Sequence, residues 1–219
     1  MAVATSTRVP PPLRGPIGFQ GRSGGGSLAP MTSTDKVSTR DRLLDAATEL
    51  FYRDGVSIGV EALCRAAGVS KRSMYQLFTS KDEVLAASLE LRAPEYWERL
   101  GPAPEDGRSA RARVLHVFEQ LELASAEEGF RGCPYLSALV ELKDPEHPAS
   151  VVALRVKGAL TEAFREEARR GGAGDPELLA RQLTLVFDGA SARAGAGAET
   201  LAGLATTTAA ALLDAAGVT

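Results

Sequence analysis

The chain has 219 residues, 44% of them hydrophobic and 24% charged, enough for one ordinary domain or for a small domain fused to a larger one, which excludes wholesale disorder and a fibrous repeat. No run approaches the about eighteen apolar residues that a bilayer-spanning helix requires, and the start lacks a charged segment followed by an apolar core, so no membrane association and a cytoplasmic location are expected. The net charge of −3 hides a partition: +2 on residues 1–35, +3 on 36–81 with eight Lys or Arg against five Asp or Glu, and −8 on the remainder with 14 basic against 22 acidic residues, a basic front on an acidic body, as suits a protein whose one end meets phosphates.

Residues 1–34 are rich in Gly, Pro, Ser and Thr, with Pro10-Pro11-Pro12 and Gly24-Gly25-Gly26, and show no apolar periodicity, which predicts a disordered tail. Gly21-Arg22-Ser23-Gly24-Gly25 matches the pattern of a nucleophile elbow only formally, because neither the preceding strand nor the following helix is present. From Thr39 onward nearly everything reads as helix. Leu43, Ala47, Leu50 and Phe51 form the stripe of a first helix, opened by Ser38 or Thr39 and stopped by Gly55. Val60, Leu63, Cys64 and Ala67 share one face of a second, short helix ending at Gly68. After the Val69-Ser70 turn a third helix runs from Lys71 to Phe78, and Ser80 with Glu83 predicts a reciprocal capping box at the start of a fourth, which reaches about Leu100 and is kinked or divided at Pro94. Five further helices are expected over about 109–127, 134–143, 149–170, 177–194 and 198–215. No stretch alternates like a strand.

The spacing from Gly59 to Lys81 fits a helix-turn-helix. Its second helix must bury one face against the first and leave the other free for the major groove. Met74, Leu77 and Phe78 stand at i, i+3 and i+4 and are expected to pack on Leu63, Ala67 and Leu43. Lys71, Arg72, Tyr75 and Gln76 then form one polar surface. Lys and Arg can donate to guanine edges, and Gln can pair bidentately with adenine. Ser73 and Tyr75 offer hydroxyls to phosphates, and Lys81 stands where the start of the fourth helix attracts one. The competing reading of Lys71 and Arg72 is an ordinary solvated helix face.

The run Ala66-Ala67-Gly68-Val69-Ser70, followed by Lys71 to Glu83, closely resembles the DNA-binding domain of the TetR family of regulators. The resemblance covers roughly residues 38–90, including Ala46-Ala47, Leu50-Phe51, Gly55 and the pattern Tyr75, Phe78, Lys81. It implies that Lys71, Arg72, Ser73, Tyr75, Gln76 and Lys81 face operator DNA. Leu77 departs from the family's usual His, and Ile58-Gly59 from its usual Thr or Ser cap.

The resemblance implies an all-α protein in which a three-helix DNA-binding domain, residues 35–84, joins a larger helical ligand-binding and dimerisation domain, residues 85–219. Its function would be that of a repressor released from a palindromic operator by a small molecule. Leu178, Leu179, Gln182, Leu183, Val186 and Phe187, then Leu201, Leu204, Ala205, Thr208 and Leu212, form apolar stripes suited to a homodimer. Trp97, Phe118, Tyr135, Leu139, His147 and Phe164 are candidates for an apolar effector pocket with a few polar groups. Gly129 to Tyr135 looks like a stretch found in a subset of the family at the entry to a central helix. An enzyme is not expected: His116 and His147 are far apart, and no His-Glu-x-x-His, phosphate-binding loop or Cys-x-x-Cys occurs. No cofactor or metal is expected. Cys64 and Cys133 read as core thiols, although a metal sensor using Cys133 and His147, or a helical partner-binding protein without DNA affinity, are the rival readings.

Overall fold

A computed structural model describes residues 38–103 and 107–219. The expected tail over 1–34, the Gly21–Gly25 pattern and the first residues of the DNA-binding domain as bounded above lie outside them. Nine helices and no strand occur among the described residues: α1 Thr39–Asp54, α2 Val60–Ala67, α3 Lys71–Leu77, α4 Lys81–Leu100, α5 Ala110–Ser125, α6 Pro134–Leu142, α7 Pro148–Arg170, α8 Pro176–Gly195 and α9 Leu204–Ala215.

The boundaries follow local chemistry. Ser38, Ser70, Ser80, Ser109, His147 and Asp175 each accept, through the side chain, a backbone N–H of the first turn they precede, satisfying donors that a helix start leaves open. Pro134, Pro148 and Pro176 open α6, α7 and α8, where a missing N–H costs nothing. Gly68 ends α2 at φ +63°, and its N–H and that of Val69 bond back to Arg65 and Cys64, the left-handed turn that aims α3 away from α2.

Three sequence expectations change, and of the two readings of Pro94 the division falls, since it lies inside an unbroken α4. Glu83 N–H does donate to Ser80 Oγ at 3.1 Å, but its carboxylate turns to Thr79 N–H (2.6 Å) and Oγ1 (2.9 Å), so the box closes one residue early. Leu77 is not in the core: it is 44% exposed, because α3 ends there and Phe78, in extended backbone, takes the inward position. The last helix begins at Leu204 rather than 198. Gly197, Ala202 and Gly203 hold positive φ, which no helix accommodates, and Glu122 of α5 caps the new start by accepting from Gly203 and Thr206 N–H, each at 2.9 Å.

α1 packs on α2, α3 and α4 around Leu43, Leu44, Leu63, Met74, Val84 and Leu85, all essentially inaccessible. Burial of such side chains contributes about 1.5–3 kcal/mol each. The larger part is built from long neighbours. Pairings Asp82–His147 and Glu90–Arg155 run in parallel along α4 and α7. Lys157–Asp188, Thr161–Thr184 and Arg165–Glu177 run antiparallel along α7 and α8. Its centre is aromatic: Phe118 stacks on Phe164 with ring centroids 5.6 Å apart and meets Phe187 edge-on at 6.3 Å.

Candidate nucleic-acid interface and ligand cavity

The candidate recognition surface is α3. Met74 is fully buried and Phe78 nearly so, which locks the helix against α1 and α2; the outward face presents Lys71, Arg72, Tyr75 and Gln76, all exposed. Arg72 and Gln76 have no bonded partner among the described residues. Lys71 Nζ lies 2.6 Å from Glu61 Oε1, an exposed pair of the kind that holds weakly and is readily exchanged for a phosphate or base. Ser73 is half-buried and shares a 2.8 Å bond with Ser70 Oγ, so it serves first as part of the α3 start. Lys81 is also half-buried: its Nζ donates to Val56 O at 2.7 Å, pinning the α1–α2 loop to α4. Four of the six sequence-derived positions therefore share one free surface, and two are engaged in holding it.

Two residues not singled out from the sequence join that surface. The Arg40 guanidinium sits 5.6 Å from the Phe78 ring centroid, and Arg42 donates to Gly68 O at 3.4 Å. Both cations in the first turn of α1 are thus anchored beside α3. Their signal was the Thr-Arg-Asp-Arg start of α1, which reads as a helix N-terminus and hides its role until the fold brings it to the turn.

Behind this surface a polar joint ties α1 to the larger part. Tyr52 OH donates to Gly132 O (3.2 Å) and accepts from Arg131 N–H (2.8 Å), and Glu141 of α6 accepts Val56 N–H at 2.8 Å. Burial pushes the Tyr52 phenol above its ordinary value against the opposing Arg131 N–H, so it stays neutral and able to donate.

Two cavities flank the joint and share Tyr52, Arg92 and Pro134 as a wall. One, of about 450 Å³, lies between α1, α4 and α6 against Phe51, Leu89, Tyr135 and Glu141. The other, of about 270 Å³, lies among α4, α5, α8 and the loop before α6, against Tyr96, Leu121, Phe130, Cys133, Phe187 and Ser191. Tyr96 OH and Cys133 Sγ are 3.1 Å apart there; burial first, and Cys133 second, push the Tyr96 phenol well up.

The six pocket candidates are not gathered around one space. Of them only Tyr135 borders either cavity, and its hydroxyl donates to Leu89 O at 3.1 Å. Phe118 and Phe164 are core rings, and Trp97 and Leu139 pack half-buried on that core. His147 Nδ1 accepts Ala149 N–H to cap α7, while Nε2 faces Asp82 at 3.5 Å. Aromatic periodicity marks core and cavity wall alike, so it selects core first. Tyr96 and Ser191 carried no separate signal, and Phe130 only its place in the Gly129–Tyr135 stretch. Cys133 and His147 each have other partners, and no cluster of three or more metal-ligating side chains occurs among the described residues.

The sequence model for the bacterial regulatory proteins of the tetR family matches residues 43–88. A crystal structure of a tetR transcriptional regulator from Streptomyces avermitilis is 60% identical, spans 83% of this chain and all of its own, and superposes with a TM-score of 0.81. An HTH-type transcriptional regulator of Mycobacterium tuberculosis is 41% identical over 99 residues, 42% of this chain and 44% of the relative, so the match spans under half of that protein's length. The HTH-type transcriptional repressor NemR of Escherichia coli is 26% identical over 156 residues, 70% of this chain and 71% of its own.

Proposed function

Because the chain belongs to the TetR family of DNA-binding transcriptional regulators, a family of regulators rather than enzymes, we propose that it is a homodimeric repressor that grips a palindromic operator through α3 and lets go when a small molecule binds its larger domain. We assign residues 35–84 to DNA binding and 85–219 to effector binding and dimerisation, working in the cytoplasm where the chromosome lies. The observation that carries the DNA-binding role is the α3 face: Lys71, Arg72, Tyr75 and Gln76 stand exposed on a helix locked by Met74 and Phe78, with Lys71 held only by an exposed pair with Glu61. Arg72 and Gln76 are suited to base edges, while Lys71, Tyr75 and the α1 cations are suited to phosphates. Ser73 and Lys81 act here mainly by shaping the surface, with Lys81 near enough to the start of α4 to add a phosphate contact. A two-fold dimer sets its recognition helices roughly 34–36 Å apart or somewhat more, one turn of DNA or slightly over. Repression is supported by the name of the NemR relative. Release is the stabilisation of a spacing that fits DNA poorly, a shift of population through differential affinity.

Selection of bound sequences from random duplex DNA, followed by salt titration of the winner, tests this. A palindrome whose affinity falls steeply with salt is expected. Arg72→Ala should cost about 1–3 kcal/mol and relax preference at one base pair per half-site, and Lys71→Ala should chiefly reduce the salt slope. If no sequence is enriched and no duplex binds at low salt, the DNA-binding role fails.

A further inference from the structure

We propose that the 270 Å³ cavity among α4, α5, α8 and the 129–133 loop is built for a small neutral ring compound bearing an acceptor oxygen, held by Arg92 Nε and Ser191 Oγ. This rests on the effector-release reading above and adds the chemical class. Three observations carry it. Ser191 is fully buried and borders the cavity, and its hydroxyl has no hydrogen-bond partner among the described residues; Arg92 also borders it, and its Nε is buried without a partner among them while its two Nη atoms face Glu95 and Asp45. Unmade bonds of this kind are costly, and a ligand acceptor that either side chain turns to meet recovers one of them. The rest of the wall near them is apolar and aromatic, from Leu121, Phe130, Phe187 and the Tyr96 ring, which suits a flat ring more than a polar chain. The charges at the cavity cancel against an anion: Arg99 is bonded to Glu127 and Arg92 Nη1 to Glu95, while Glu128 adds a further carboxylate. A carboxylate or phosphate ligand would find both guanidiniums already paired, so a neutral ligand is favoured. The volume is that of roughly nine liquid waters, at the small end of ligand cavities, which limits the guest to about the size of a fused bicyclic ring.

The test uses three probes of one shape: 2-naphthol, neutral with one oxygen; naphthalene, with none; and 2-naphthoate, an anion. Calorimetry on the full chain should give one 2-naphthol per protomer, bound about tenfold tighter than either other probe, the margin of one good hydrogen bond. Ser191→Ala, and Arg92→Lys, which keeps the charge but lacks the Nε–H, should each erase most of the margin over naphthalene while leaving naphthalene's own affinity unchanged, an outcome that general unfolding does not produce. Ala124→Leu, which fills the wall, should abolish binding of all three. Tightest binding of 2-naphthoate, equal binding of the three, no 2-naphthol binding up to about 1 mM, or indifference to these substitutions overturns the proposal. If 2-naphthol binds as described yet leaves affinity for the selected operator unchanged, the cavity assignment stands and the release reading falls. If 2-naphthol releases DNA equally from the wild type and from Ala124→Leu, the release reading stands and the cavity assignment falls.

Discussion

Gly195 closes α8 where the loop before α6 crosses it: a Cβ there would lie 2.4 Å from Arg131 C and 2.5 Å from Gly132 N, both backbone atoms that cannot swing aside. Gly132 faces the same crossing from the other side at φ +91°, with a Cβ position 2.9 Å from Ser191 O. The pair fixes the loop that carries Cys133 and receives Tyr52. Gly158, in the middle of α7, has nothing within 4 Å of its Cβ position. Helix propensity favours Ala over Gly at interior helical sites by about 1 kcal/mol, a gain open to Gly158, whereas Gly195 ends α8 against backbone that a Cβ would strike. Gly158→Ala should raise stability by about 0.5–1 kcal/mol. Gly195→Ala should lower it by about 1–3 kcal/mol, as overpacking does. Urea unfolding of both variants is sufficient, and a stabilised Gly195→Ala would mean the crossing is looser than described.

At the scale of elements, the α3–α4 corner depends on one carboxylate. Glu83 accepts two bonds from Thr79, backbone N–H first and hydroxyl second, and both hold it below its ordinary value of 4.5. A folded-state pKa below the unfolded one means the contribution is fully present above pH 4.5 and is lost as pH falls through the lower folded value. Glu83→Gln should therefore be less stable than the wild type at pH 7, with the gap closing in acid; thermal melts across that range would show it, and a gap independent of pH would assign the loss to the amide's shape instead of the charge. The joint at Tyr52 makes a different claim. Tyr52→Phe removes the donor to Gly132 and the acceptor for Arg131 without touching α3, so operator affinity should change less than about threefold while release by any effector weakens, read by DNA titration with and without 2-naphthol.

These elements were legible in the sequence to very different degrees. The helices of the DNA-binding part were readable nearly to the residue because Ser38, Ser70 and Ser80 cap, Gly55 and Gly68 stop, and the apolar stripes repeat at helical spacing. Leu77 escaped because α3 has only seven residues, too few for periodicity to choose between Leu77 and Phe78. The start of α9 escaped because its cap, Glu122, comes from another helix. The cavity escaped because its lining residues are drawn from α1, α4, α5, α8 and a loop, and each looks like core or surface within its own segment.

At the scale of the whole molecule, α8 shows apolar residues on both sides. Leu179, Leu183 and Phe187 point into the core, while Leu178, Gln182, Leu185, Gly189 and Ala192 follow one another on an outer face, with Leu185 73% exposed; Leu204, Thr208 and Ala211 continue the surface on α9. The sequence stripes mixed these two faces, since Leu185 was absent from them and the inward residues were counted toward association. A helix apolar on both sides has a second partner to find, and a face of leucines flanked by small residues lets two copies of α8 approach closely about a two-fold axis. Leu185→Glu should leave the protomer folded, because the side chain is mostly exposed, and should convert the dimer to monomer in analytical ultracentrifugation. Linking two half-site contacts in one particle raises affinity by roughly 10²–10⁴, so operator affinity should fall on that scale while binding to an isolated half-site is unchanged. Leu123→Glu, at another largely exposed leucine, on α5, should alter neither. A Leu185→Glu protein that remains dimeric with full operator affinity would place the two-fold axis elsewhere on the surface and leave the outer face of α8 to some other partner.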